Sequence, residues 1–176
     1  MSHRLFHVAL AGGFLAVATA GARSIRIVAE PPQAARVAPH HTAGSQRGND
    51  PLPVEQLARA KRASARYRDV KNALADGYAD INVVIPNMGR HFLKGSLLDA
   101  TFDIEHPEIL VYAPDRDSTL QLVAVEYAVP ESLSVSAPEG FAGKSDEWFV
   151  NQAFGIWTLH AWVWKKNPAG IFYPTN

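Results

Sequence analysis

The sequence predicts an α+β domain: an N-terminal helix packed on a curved antiparallel sheet of about four to five strands. Apolar residues recur at helical spacing after Asp50, and the period drops to two after Gly77. The last strand-like stretch is crowded with tryptophan, three of the chain's four falling between Trp157 and Trp164. One helix followed by several strands with short turns between them is the element order of an α+β fold rather than of an alternating parallel one.

The helix begins with Asp50 as N-cap, Pro51 in the first turn and Glu55 as a favourable early negative charge. Val54, Leu57, Ala58, Ala65, Tyr67, Val70 and Leu74 form its apolar stripe, and Arg59, Lys61, Arg62, Arg66, Arg68 and Lys71 form a basic, solvated remainder. Gly77 ends it. Strands are expected at Ile81–Ile85, stopped by Pro86, and at Arg90–Leu93 after the turn Asn87-Met88-Gly89. Ile109–Ala113 and Leu120–Val129 form a hairpin around Pro114-Asp115-Arg116-Asp117. Pro130 to Ser145 is rich in Ser, Pro and Gly and reads as a surface excursion; Glu147–Phe154 reads as a short helix, and Thr158–Lys165 as the last strand.

Residues 1–22 read as an export signal. Arg4 supplies a basic start, Val8 to Ala20 is apolar, and Ala18-Thr19-Ala20 fits a small-x-small cleavage site. The apolar run is shorter than the ~20 residues of a membrane span, so the expectation is a periplasmic or secreted protein with no transmembrane anchor after cleavage. Residues 23–49 read as a disordered linker containing Pro31, Pro32, Pro39, Gly44 and Gly48, too poor in large apolar residues to offset its ordering entropy. His40-His41 falls there and reads as solvated. Residues 50–176 are expected to form one domain with its own core.

Acidic and basic residues balance at 17 each, so nothing in the charge points to nucleic acid or an anionic membrane. The chain has no cysteine, which excludes disulfides, thiolate nucleophiles and thiolate metal sites. It also lacks the G-x-S-x-G, Walker A and H-E-x-x-H patterns of serine hydrolases, P-loop enzymes and zincins.

The chemistry that remains sits on the strands. Alternation places Leu120, Leu122, Ala124, Glu126 and Ala128 on one face, so Glu126 lies among apolar side chains. His160 shares a face with Thr158, Trp162 and Trp164, and His91 follows the Pro86–Arg90 turn. A carboxylate in such a place stays neutral, pairs with a cation or binds a metal. Two imidazoles and one carboxylate on three strands suit a divalent ion, Zn, Cu or Fe, with open positions. His91, Glu126 and His160 are therefore the candidate metal ligands, set against a plain reading in which Glu126 forms a buried structural pair with His160 or Arg90. Met88 offers a thioether, which favours copper. Met88, Tyr112, Trp162 and Trp164 are candidates for touching a ligand. Asp99, Asp103, Glu105 and Glu108 lack the spacing of a calcium loop and read as turn and solvation residues; His106 reads as a surface histidine.

The segments A-L-A-D-G-Y (Ala73–Tyr78), M-G-R-H-F (Met88–Phe92), P-E-I-L-V-Y-A-P (Pro107–Pro114), L-V-A-V-E-Y (Leu122–Tyr127) and L-H-A-W-V-W-K-K-N-P-A-G-I-F (Leu159–Phe172) resemble a family of uncharacterised exported bacterial proteins. The resemblance spans most of the chain after the linker. It implies export and places His91, Glu126 and His160 on motif positions, but carries no activity with it. It also implies a second histidine or an aromatic beside the M-G-x-H turn, where Arg90 and Phe92 stand here, and a few residues beyond Asn176.

Three functions follow as expectations: a binding protein for a divalent metal or small ligand, a metal-dependent enzyme using the same three residues with Glu126 as ligand or general base, or a non-catalytic interaction module whose histidines are structural.

Overall fold

A computed structural model describes residues 53–176. The export signal, the linker and the Asp50-Pro51 helix start lie outside the described residues. Six strands, β1 (Ala79–Ile85), β2 (Gly89–Leu93), β3 (Ile109–Pro114), β4 (Leu120–Pro130), β5 (Phe149–Asn151) and β6 (Ile156–Ala161), form one sheet. Their order is β1-β2-β3-β4-β6-β5, with every neighbouring pair antiparallel. The α+β class thus holds, with six strands where four to five were expected. The unexpected strand is β5, from the stretch read as a helix: Phe149 and Val150 suit a pleated surface, and they pair with Thr158 and Trp157 of β6.

The single expected helix is broken. α1 (Val54–Ser64) passes through a 3-10 turn, Ala65–Arg68, into α2 (Val70–Ala75). Ser64 Oγ donates back to the Ala60 carbonyl at 2.7 Å, a bond that tends to bend helices. Asp69 then takes extended geometry and caps α2 through Lys71 N–H. Most of the basic face is engaged locally. Arg59 pairs with Glu105, Arg62 with Glu55 and Arg66 with Asp76, while Lys61 and Arg68 lie over the Trp164 ring at 5.0 and 5.4 Å.

The sheet has a core on each face. Leu57, Ala60, Tyr67 and Ala73 from the helical segment pack with Phe92, Leu110, Tyr112, Leu122, Val125, Tyr127, Leu159 and Ala161. Val83, Ile85, Met88, Ile109, Val111, Val123, Ala124, Ala128 and Trp162 pack on the other side. Buried tyrosines tie the layers together. Tyr112 donates to the Tyr67 carbonyl, Tyr127 to the Ile104 carbonyl and Tyr78 to the Pro107 carbonyl. Each bond satisfies a phenol that would otherwise be buried unpaired.

Alternation along β4 departs from the expected pattern. The register slips between Val111↔Ala124 and Tyr112↔Leu122, leaving Val123 as an extra residue. A bulge of this kind reverses the faces on either side of it, so Leu120 and Leu122 join the helix-side core with Val125 and Tyr127. Glu126, Ala124 and Ala128 keep their common parity beyond the bulge. β6 is shorter than expected and stops at Ala161. There Val163 N–H turns back to the Ala161 carbonyl, and Trp162 N–H donates to Ile171. Trp164 and Lys165 N–H groups both reach the carbonyl of bulged Val123.

Tyr112 lies on the helix face, so Tyr112→Phe should cost about 1–2 kcal/mol of stability. Urea unfolding should register that loss, with the fold unchanged by circular dichroism.

Candidate metal centre

The second face of the sheet carries the polar residues. In β4 and β6 Glu126 pairs directly with His160, and on the other side Glu126 faces Ile109 of β3. His91 of β2 faces Val111, which faces Ala124. Residues opposite one another in a ladder share a face, so His91 and Glu126 occupy neighbouring rows of the same surface. Strands two apart lie about 10 Å apart, and the side chains lean over β3 to meet.

They do meet. His160 Nε2 lies 3.2 Å from Glu126 Oε1, and His91 Nε2 lies 3.5 Å from Glu126 Oε2. One ligand atom from each residue fits a group whose members all lie within 4.8 Å. Around a tetrahedral ion with bonds of about 2.1 Å the ligand atoms stand about 3.4 Å apart, so an ion would draw the widest-spaced atoms in by about an ångström. All three residues are buried, at 3%, 4% and 3% exposure for His91, Glu126 and His160.

A β-bulge orients His91. The β1–β2 register shifts between Asp80 and Val84, with Asn82 at a positive φ of 58°. The Val83 carbonyl is thereby available to His91 Nδ1, 3.1 Å away. A carbonyl only accepts, so Nδ1 carries the proton and Nε2 presents its lone pair to the site. This is the outer contact that commonly sets the tautomer of a metal-binding imidazole. Nε2 also lies 3.0 Å from Met88 Sδ.

The set holds more acceptors than donors. Glu126 Oε2 and both ring nitrogens of His160 are buried without a hydrogen-bond partner. The 3.2 Å approach of His160 to Glu126 is therefore close but not aligned as a hydrogen bond. Each unsatisfied buried polar group costs about 1–3 kcal/mol. Burial holds the metal-free set neutral. It pushes the Glu126 carboxyl up to about 8, with help from Glu108. It pulls His160 down to about 3, helped by His91, and lowers His91 as well.

The other expected residues separate clearly. Met88 touches His91, and Trp162 belongs to the same core, its indole N–H donating to the Tyr173 carbonyl at 2.6 Å. Tyr112 and Trp164 lie on the opposite face, Trp164 donating to Ser64 Oγ. For Trp164 this follows from the end of β6 at Ala161, past which strand alternation no longer decides where a side chain goes; Tyr112 follows the alternation of β3, on the face of Leu110. Arg90 pairs with Asp80, not Glu126. Asp103, Glu105 and His106 are exposed as expected, with His106 on Asp103. Glu108 is the exception. It is 2% exposed, accepts the Ala128 N–H at 3.0 Å, and is raised to about 8 by burial. Its position between Pro107 and the apolar strand from Ile109 was the available signal.

Comparison with family models found no match, and neither the curated proteins nor the solved structures gave a significant one.

The pH dependence of the metal-free protein follows from these shifts. His91 and His160 bind protons more readily unfolded, so stability falls as pH drops below their ordinary 6.5 toward 3. Glu126 and Glu108 bind protons more readily folded, so stability falls as pH rises from 4.5 to about 8. The opposing slopes give a plateau between roughly pH 4.5 and 6.5. Above it, each carboxyl should remove roughly 1–2 kcal/mol by pH 8. Glu126→Gln should halve that decline in denaturant titrations at stepped pH; an unchanged slope would show that Glu126 is not the titrating group.

Proposed function

We propose that the chain is an exported protein that holds a transition-metal ion, with His91, Glu126 and His160 as its ligands. The observation that carries this reading is the group of buried polar atoms without hydrogen-bond partners, Glu126 Oε2 and both His160 nitrogens, beside an imidazole whose Nε2 is proton-free. A cation takes up the lone pairs of Glu126, of His91 Nε2 and of one His160 nitrogen at once, the other His160 nitrogen keeping its proton. The donor set, two imidazoles and a carboxylate, suits Zn, Cu or Fe. Burial of every ligand favours holding an ion over turning over a substrate, since catalytic metals keep an open position.

Export rests on the Arg4–Ala20 signal pattern and on the resemblance carried by the M-G-R-H-F and L-H-A-W-V-W-K-K-N-P-A-G-I-F segments. Among the described residues, no helix is long and apolar enough to cross a membrane.

Protein purified without a histidine tag should contain close to one equivalent of metal by mass spectrometry. His160→Ala and Glu126→Gln should each lose it while remaining folded. Metal uptake requires ionised Glu126, so it should release protons and flatten the stability decline above pH 6.5. A wild-type protein that carries no metal and takes up none would make the three residues structural and turn attention to an interaction role.

A further inference from the structure

The two halves of the site differ in chemistry, and the difference selects the ion. Met88 is 5% exposed, and its Sδ stands 3.0 Å from His91 Nε2. The proton of that imidazole is on Nδ1, engaged by the Val83 carbonyl. Nε2 therefore has no hydrogen to give the thioether, and two lone pairs face each other at close range. A shared electrophile makes that contact favourable. Glu126 Oε2 lies 3.5 Å from the same nitrogen.

The backbone holds Met88 in this position. Its N–H closes the β1–β2 turn on the Ile85 carbonyl, and the Asn87 carbonyl accepts from Asn176 N–H at 2.6 Å. Asn87 has a φ of 60°, and Gly89 a φ of 137°. A Cβ at Gly89, between Met88 and His91 in the chain, would run into the Tyr112 carbonyl, so only glycine lets β2 approach β3 this closely there.

Resting on the metal-binding reading above, we propose that the ion is copper, and that Met88 Sδ is its fourth ligand, stabilising the cuprous state. Thioether sulfur is a soft donor that selects Cu(I) over Zn(II) and Fe(II), which take nitrogen and oxygen more readily. Charge supports the same choice. The four donors carry one negative charge, that of Glu126, so a monovalent ion leaves the buried set neutral. A divalent ion leaves an uncompensated positive charge in an apolar core, which is costly.

The test compares the full wild-type chain with Met88→Leu, a change of similar volume, each checked for folding by circular dichroism and thermal melting. Cu(I) affinity is measured against a chromophoric cuprous chelator under a reductant, and Zn(II) affinity against a zinc chelator. The wild type should take up one Cu(I) and keep it against equimolar zinc. Met88→Leu should weaken Cu(I) by about tenfold or more while leaving Zn(II) within about threefold. Copper-edge X-ray absorption gives a second readout that survives a poorly folding variant. The chain has no cysteine and two methionines, Met1 and Met88. A sulfur shell around copper in protein lacking residues 1–22 after processing therefore identifies Met88. Copper without a sulfur shell, or Cu(I) affinity unchanged in Met88→Leu, overturns the copper–thioether assignment and leaves the three-residue metal site standing. Preference for zinc in the wild type does the same. Failure to bind either ion removes both.

Discussion

The direct pairing of Glu126 with His160 across β4 and β6 imposes the constraint to which the rest of the second core is arranged. A carboxyl and an imidazole in a buried ladder pair must share whatever protons are there. Water is excluded, and the strands hold the two side chains on one face whatever their preference. Burial favours the neutral forms of both. A second imidazole from β2 then closes on the same carboxyl, and a thioether from the β1–β2 turn closes on that imidazole. Every added group brings a lone pair and none brings a surplus hydrogen. Such an arrangement weakens a fold that relies on it for stability, and becomes favourable once a cation enters.

The surrounding structure keeps that set in place through backbone irregularities. The bulge in β1 gives the Val83 carbonyl to His91 and so fixes which nitrogen faces the site. The bulge in β4 gives the Val123 carbonyl to the chain leaving β6, which anchors Trp162 on the site face and sends Trp164 to the other. The C-terminal segment returns to the same region. Asn167 reaches the Tyr173 and Thr175 carbonyls, and Asn176 the Asn87 carbonyl beside Met88. On the opposite face the tyrosine hydroxyls attach the helical segment and the β2–β3 connection to the sheet. The three residues are therefore held by rigid elements on both sides.

Much of this was legible in the residues. Glu126 and His160 stood out because each is a lone polar residue within an apolar, β-branched or aromatic run, where a strand buried on both faces leaves it no route to water. His91 was marked by its position after a glycine turn. Glu108 was misread because carboxylates surround it in sequence, and its burial depends on the Ala128 N–H of a distant strand. The helix break and β5 were missed for a related reason: both are local preferences overridden by packing, Ser64 by its carbonyl partner and Trp164, Phe149 by its pairing with β6.

By itself the sequence determined the class, the positions of the main strands, and the polar residues Glu126 and His160 set inside apolar strands. Those follow from periodicity and from the cost of burying polar groups, which act locally along the chain. The tertiary structure decided which of the candidates meet. Alternation along the last strand assigns Trp164 to the face of His160, and the early end of β6 sends it to the other; Tyr112, a ligand-contact candidate, shares the helix face with Leu110. Strand periodicity fixes a face only while the ladder continues; one inserted residue at Val123, or one early stop at Ala161, reverses it, and both depend on hydrogen bonds to chain segments far away in sequence.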